Sequence, residues 1–172
     1  MTSSSIASSA TPRSAPEVSI RPLRPEDREP LQRILIDTAA FSDDEVAVAL
    51  ELIDEGDDGT PDAYHFAVAE HAGQVVGYVC WGHTPCTVAT FDLYWIAVDP
   101  STQGLGVGRR LVERCEQAVR EQDGHLVLIE TAGKPGYDAT RAFYLRTGYL
   151  EEARLRNFYA PGDDKVIYAK TL

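Results

Sequence analysis

Leu93-Tyr94-Trp95-Ile96-Ala97-Val98-Asp99-Pro100-Ser101-Thr102-Gln103-Gly104-Leu105-Gly106-Val107-Gly108-Arg109 decides how the rest of the chain is read. It opens as an apolar run of β-formers, which Asp99-Pro100 stops. Three glycines on alternate positions follow, and then Arg110 to Arg120, where Leu111, Cys115, Ala118 and Val119 share one face at helical spacing. The reading is strand, glycine turn, helix. Such a turn leaves backbone N–H groups unpaired at a helix N-terminus, where the dipole is also positive. Glycines let that backbone approach an anion closely, so the geometry suits phosphate.

Upstream, Val18 to Leu23 alternates as a short edge strand, since Pro22 has no N–H for a ladder. Pro25-Glu26-Asp27 suits a first helical turn, and Leu31, Ile34, Leu35 and Thr38 form the face behind it. Ser42 with Glu45 three residues on is a capping box that opens a second helix, with Val46, Ala49, Leu50 and Ile53 as its apolar face. Gly56 to Pro61 ends that helix. Ala63–Glu70 and Gln74–Trp81 are strands joined by a tight hairpin at His71-Ala72-Gly73. A fourth strand, Thr90–Val98, follows too soon for a crossover helix, so these strands form an antiparallel meander.

Downstream, Leu126–Thr131 is a continuous apolar strand, and strand–helix–strand implies parallel pairing by a right-handed crossover. Asp138 caps a short helix running to Arg146, with Ala139, Ala142, Phe143 and Arg146 on one side and Gly148 ending it. Strands near Leu150–Tyr159 and Lys165–Lys170 flank a turn at Pro161 to Asp164. The expected order is β-α-α-β-β-β-α-β-α-β-β, an α/β mixed sheet in one domain over residues 18–172. Residues 1–17, rich in Ser, Ala, Thr and Pro, read as a disordered tail. The glycine turn sits where antiparallel and parallel portions meet, and such switch points bind ligands.

A chain of 172 residues buries a real core without disulfide or metal staples. Net charge of −11 argues against nucleic-acid or anionic-membrane binding and is compatible with a cationic small molecule. Cys80, Cys86 and Cys115 are odd in number and in no CxxC spacing, which points to a reducing, cytoplasmic setting and to no zinc site. No apolar run approaches a membrane span, and no apolar signal core opens the chain. A P-loop or dinucleotide turn fits poorly, because no Lys-Ser/Thr follows the glycines and no acidic ribose partner is in view.

Gln103-Gly104-Leu105-Gly106-Val107-Gly108 resembles the Q/R-x-x-G-x-G/A pattern of the GNAT superfamily of acyl-CoA-dependent N-acetyltransferases. Thr140 to Tyr149, with Phe143-Tyr144 and Gly148-Tyr149, is similar to that superfamily's second signature. The element order matches from about Val18 to the end. The resemblance implies acetyl-CoA as cosubstrate, with the backbone of Ile96, Ala97 and Val98 along the pantetheine arm. It also implies the N–H groups from Gln103 through Gly104, Leu105, Gly106, Val107 and Gly108 to Arg109 around the pyrophosphate, and Tyr144 near the thioester sulfur. Many relatives carry Asn where Tyr137 stands, and Thr131 or Asp138 is the candidate to replace that contact.

Transfer to an amine needs a neutral nucleophile, a polarised carbonyl and a stabilised thiolate. By family analogy an N–H near Val98 is the oxyanion donor. Tyr144 is the candidate catalytic residue at the sulfur, first as a hydrogen-bond donor, because full proton transfer from a phenol to a thiolate runs uphill by about 2 kcal/mol. Complete proton transfer is the other option, and a ring that only packs the helix is the bland one. Asp92, where some relatives carry a glutamate, is the candidate base; period two places Asp92, Tyr94, Ile96 and Val98 on one face. A carboxylate at a strand start is equally a surface group. Asp43 to Asp62 holds nine acidic residues and no basic one, either a solvated face or a lure for a cationic amine. His83 is an option facing the acceptor, while Trp81 and Trp95 read as core. The expected function is acetyl transfer to a primary amine of a small molecule or peptide in a ternary complex. The alternative is a non-catalytic acyl-CoA-binding or sensing module. A homodimer is compatible with the chain, and nothing in it decides the acceptor.

Overall fold

In the computed structural model, which describes residues 17–56 and 63–172, seven strands form one mixed sheet in the order β1-β2-β3-β4-β5-β7-β6. The expected tail, apart from Glu17, and the turn from Asp57 to Pro61 lie outside the described residues. Strand β1 is Ser19–Arg21, and a 3₁₀ turn at Pro25–Asp27 leads into α1, Arg28–Asp37. Helix α2, Asp43–Glu55, starts at the Ser42–Glu45 capping box, with the Glu45 N–H donating to the Ser42 hydroxyl at 3.3 Å. Its buried residues are the four that the spacing marks: Val46, Ala49, Leu50 and Ile53. Strands β2 (His65–His71), β3 (Gln74–His83) and β4 (Thr90–Val98) are the antiparallel meander. Ala72 and Gly73 make the β2–β3 turn with φ of 51° and 76°, the left-handed pair that suits the twist of a hairpin.

Helix α3, Val107–Glu121, crosses over to β5, Leu126–Ala132, which lies parallel to β4 as the crossover rule requires. Helix α4 is Asp138–Arg146, and strands β6 (Leu150–Ala160) and β7 (Asp163–Thr171) close the chain. Strand β7 inserts between β5 and β6, a placement that element order does not reveal, and leaves β6 as an exposed edge. The last turn is Pro161-Gly162, so Asp163 and Asp164 begin β7 rather than sit in the turn.

Two cores flank the sheet. Leu111, Cys115 and Val119 of α3 pack on Val79, Phe91, Val127 and Ile129, while Leu31, Ile34, Leu35, Leu50 and Ile53 pack on Phe66, Val68 and Tyr78. Helix α4 differs from its sequence reading. Its one buried residue is Tyr144, Ala139 and Arg146 are exposed, and Asp138 opens the helix with its carboxylate paired to Arg141 instead of capping it. The helix lies at the margin of the sheet and anchors through the Tyr144 ring, with Phe143 packed beside it. Among the described residues no helix is long and apolar enough to cross a membrane.

Strand β4 departs from strict alternation. Cys80 pairs with Trp95 but Trp81 with Leu93, so Tyr94 is the extra residue of a bulge. Phe91, Leu93, Ile96 and Val98 therefore face the α3 core, and Trp95 and Ala97 face α1 and α2. Asp92, lying between Phe91 and Leu93, points to the α1–α2 face. This corrects the expectation that Asp92, Ile96 and Val98 share a side: one inserted residue inverts the parity of everything beyond it.

Candidate active site

The parallel pairing of β4 with β5 runs only from Thr90–Leu126 to Leu93–Ile129. Beyond it the two strands diverge, and the gap opens into a groove of about 1410 Å³. Ile96, Ala97 and Val98 of β4 line one wall and Glu130, Thr131 and Ala132 of β5 the other. Asp99 N–H donates across to Val76 on β3, so the Val98 N–H, one residue back, points to the opposite edge and into the groove. The walls include Val107, Gly108, Phe143 and Tyr144 from the α3–α4 face and Thr38, Phe41 and Glu45 from the α1–α2 face. The groove thus runs through the sheet and reaches both faces.

At its α3 end lies the glycine turn. Gly104 (φ 87°) and Gly106 (φ 76°) hold left-handed conformations, and Gly106 is the N-cap of α3. Gly108 serves differently: a Cβ there would lie 3.3 Å from the Phe143 ring. The N–H groups of Val107, Gly108 and Arg109 belong to the first helical turn and have no intrahelical carbonyl to meet. Not every expected cradle group is free. The Gln103 N–H donates to Pro100 and the Leu105 N–H to Thr102, and Leu105 is half exposed and does not border the groove. Arg109 borders it, its guanidinium bonded to Glu113 at 2.7 Å. Arg110 turns away to the Val18 carbonyl and Glu17.

Tyr144 reaches the groove from α4 while only 4% exposed, against the rings of Phe143, Tyr149 and Tyr168. Burial pushes its phenol well above the ordinary tyrosine value, so it stays an O–H donor at any physiological pH. Asp92 is not among the groove residues. It is half-buried and accepts the Thr84 hydroxyl at 2.7 Å; burial first, and then Glu130, raise its pKa above the usual carboxylate value, against that hydrogen bond. Thr131 is buried and borders the groove, whereas Asp138 is taken by Arg141. His83 packs edge-on to Phe91 at 5.3 Å, outside the groove. Trp81 is core, but Trp95 lines the groove and packs against Phe41, the rings tilted by 58° with centroids 5.3 Å apart.

Several groove residues escape a reading of sequence. Glu130 closes the apolar run of β5, faces the side opposite Ile129 and Thr131, and pairs with Lys165. A carboxylate inside a strand that is otherwise apolar on both faces is a readable signal. Tyr94 stands on the bulge, its pKa pushed up to about 12 mainly by burial and then by Asp92. Tyr159 and Asp163 arrive from the β6–β7 hairpin, and their position depends on a four-residue bulge in β6 that no local pattern announces. Of the acidic stretch in α2, Glu45 alone among the described residues borders the groove. No group of three His, Cys, Asp or Glu side chains is placed to hold a metal among the described residues.

A sheet splayed beside a glycine turn, with a buried phenol over the gap, defines a class, and comparison with known proteins agrees. The sequence profile of the Acetyltransferase (GNAT) domain matches residues 62–151, and the chain belongs to the GNAT family of acetyltransferases. It is similar to the N-alpha-acetyltransferase of Sulfurisphaera tokodaii, 30% identical over 119 residues that cover 62% of this chain and 69% of that one. The N-alpha-acetyltransferase RimI of Mycobacterium tuberculosis is 32% identical over 98 residues, 55% of this chain, and the match spans 58% of that relative's length. A solved GNAT-family structure from Desulfovibrio desulfuricans superposes with a TM-score of 0.84 at 41% identity, covering 90% of this chain and 98% of the other.

Proposed function

We propose that the protein transfers an acetyl group from acetyl-CoA to a primary amine by direct attack in a ternary complex. The observation that carries this reading is the groove's passage through the sheet. The coenzyme's phosphates suit the α3 end, and an amine can approach from the α1–α2 face. The residues fit the coenzyme: the Val98 N–H turned into the groove for an extended arm, a left-handed glycine turn for a diphosphate, and the Tyr144 phenol bordering the same groove for the sulfur.

In this reading the Val98 N–H, aimed into the groove, polarises the thioester carbonyl; a donor of this kind is worth about 3 kcal/mol in the transition state. The amine lone pair attacks, the carbon–sulfur bond breaks, and Tyr144 donates its hydrogen bond to the departing sulfur. Its raised pKa favours holding that proton over giving it up. The amine's proton goes to a carboxylate. Glu130 borders the groove, with Asp92 behind it on the same face, so Asp92 acts through Glu130 or through water. Neither takes a proton efficiently from a free ammonium, but the tetrahedral adduct is acidic enough.

Glu45 on the α1–α2 side favours a cationic acceptor, Glu130 and Asp163 being paired with Lys165 and Lys134, and the two N-alpha-acetyltransferase relatives point to an α-amino group as its reactive end. The test is thiol release from acetyl-CoA against polyamines, amino acids, aminoglycosides and peptide N-termini. Turnover with one amine class supports the reading. Silence across the panel from a protein that binds acetyl-CoA favours a sensing module instead.

A further inference from the structure

The groove divides the molecule. On one side stand β1 to β4 with α1 and α2; on the other stand β5, β7 and β6 with α4. Four paired positions join β4 to β5 at the closed end of the gap, and α3 packs across its back. At the open end the ladder supplies nothing. There the Tyr137 hydroxyl donates to the Ala40 carbonyl at 2.6 Å, joining residues 97 apart in sequence. Among the described residues this is the hydrogen bond that links the α1–α2 loop to the segment leading into α4.

Both ends of the link are held in place. The Lys134 ammonium lies 5.2 Å above the Tyr137 ring, and the Lys134 N–H donates to Asp163. On the other wall Ala39 has φ of 51°, a left-handed conformation that costs an alanine free energy, and Phe41 packs on Trp95. A loop kept in a strained backbone shape needs a contact that favours that shape. The Ala40–Tyr137 bond is such a contact. Both Ala40 and Tyr137 border the groove.

We propose that Tyr137 is a positioning residue: it clasps the open end of the groove and sets the bore around the coenzyme's arm. The proposal rests on the coenzyme reading above. The glycine turn, at the α3 end, grips phosphate without help from the clasp. The Tyr137 hydroxyl is spent on the opposite wall.

The experiment compares the full chain with Tyr137→Phe, which removes one oxygen, and with Tyr137→Leu, which removes the ring. Coenzyme A and ADP are each titrated by calorimetry, and amide exchange is followed over residues 38–42. In Tyr137→Phe, coenzyme A is expected to bind about fivefold more weakly, the size of one net hydrogen bond, and Tyr137→Leu to lose more. ADP affinity stays unchanged in both, and exchange over 38–42 quickens. A merely structural role would weaken both ligands alike. Equal losses for coenzyme A and ADP, or no loss for either, would overturn the clasp. A wild-type protein that bound neither would overturn the coenzyme reading, and the clasp with it.

Discussion

Tyr144 and Gly106 show what single residues do at this site. The Tyr144 phenol is sealed among aromatic rings yet borders the groove, the one open space beside its hydroxyl among the described residues. Tyr144→Phe keeps the packing and deletes the donor. Steady-state turnover is expected to fall about 100-fold, with coenzyme affinity held within about twofold by calorimetry. Equal losses in both would reassign the ring to packing alone. Gly106 caps α3 in a left-handed conformation with open space where a Cβ would go, so an alanine there meets backbone strain and no clash. Gly106→Ala is expected to cost about 1 kcal/mol in thermal or urea unfolding and to weaken coenzyme binding as the cradle relaxes. Unchanged affinity in the folded variant would remove the turn from the coenzyme site.

Elements are placed by a few polar anchors. The start of α1 is fixed by Asp27, which is 1% exposed and takes a two-pronged bond from Arg21 at 2.6 and 2.7 Å and the Arg24 N–H at 2.8 Å. Burial pushes the Asp27 carboxyl upward, but Arg21 and the Arg24 N–H outweigh it and hold it below the ordinary value. A carboxyl depressed in the folded state contributes stability in full above its unfolded value, about 3.9, and loses it as pH falls through the lower folded value. Urea unfolding is therefore expected to show stability dropping below about pH 4. Asp27→Asn should flatten that limb and cost about 1–2 kcal/mol at neutral pH, since Arg21 keeps its ion pair with Glu70. An acid limb unchanged in the variant would show that other carboxyls carry it.

At the scale of the whole molecule, Lys170 ties three elements together. Its ammonium on β7 donates to both Glu116 oxygens on α3, at 2.8 and 2.9 Å, and to the Thr147 carbonyl at the end of α4. Glu116 is 5% exposed, so Lys170→Met strands a buried carboxylate and is expected to cost about 3 kcal/mol in denaturant unfolding. Adding Glu116→Leu should recover most of that loss, because an apolar pair of similar volume avoids the desolvation cost. No recovery in the double variant would mean that the pair also sets the angle between α3 and α4.

Much of this architecture was legible in local chemistry. The Ser42–Glu45 cap, the β2–β3 turn, the limits of β4 and the strand–glycine–helix junction each follow from a few adjacent residues. Such signals act over one turn of chain and need no distant partner. The glycine pattern and Phe143-Tyr144 likewise pointed to residues that border the groove, because backbone N–H groups at a helix start are local too. Tertiary structure alone decided the rest. The bulge at Tyr94 turned Asp92 away from Ile96 and Val98, β7 slipped between β5 and β6, and Glu130, Tyr137 and Tyr159 converged from separate segments on one groove. These depend on strand register and on contacts between residues far apart in sequence, and one residue inserted or one strand interposed changes every face beyond it.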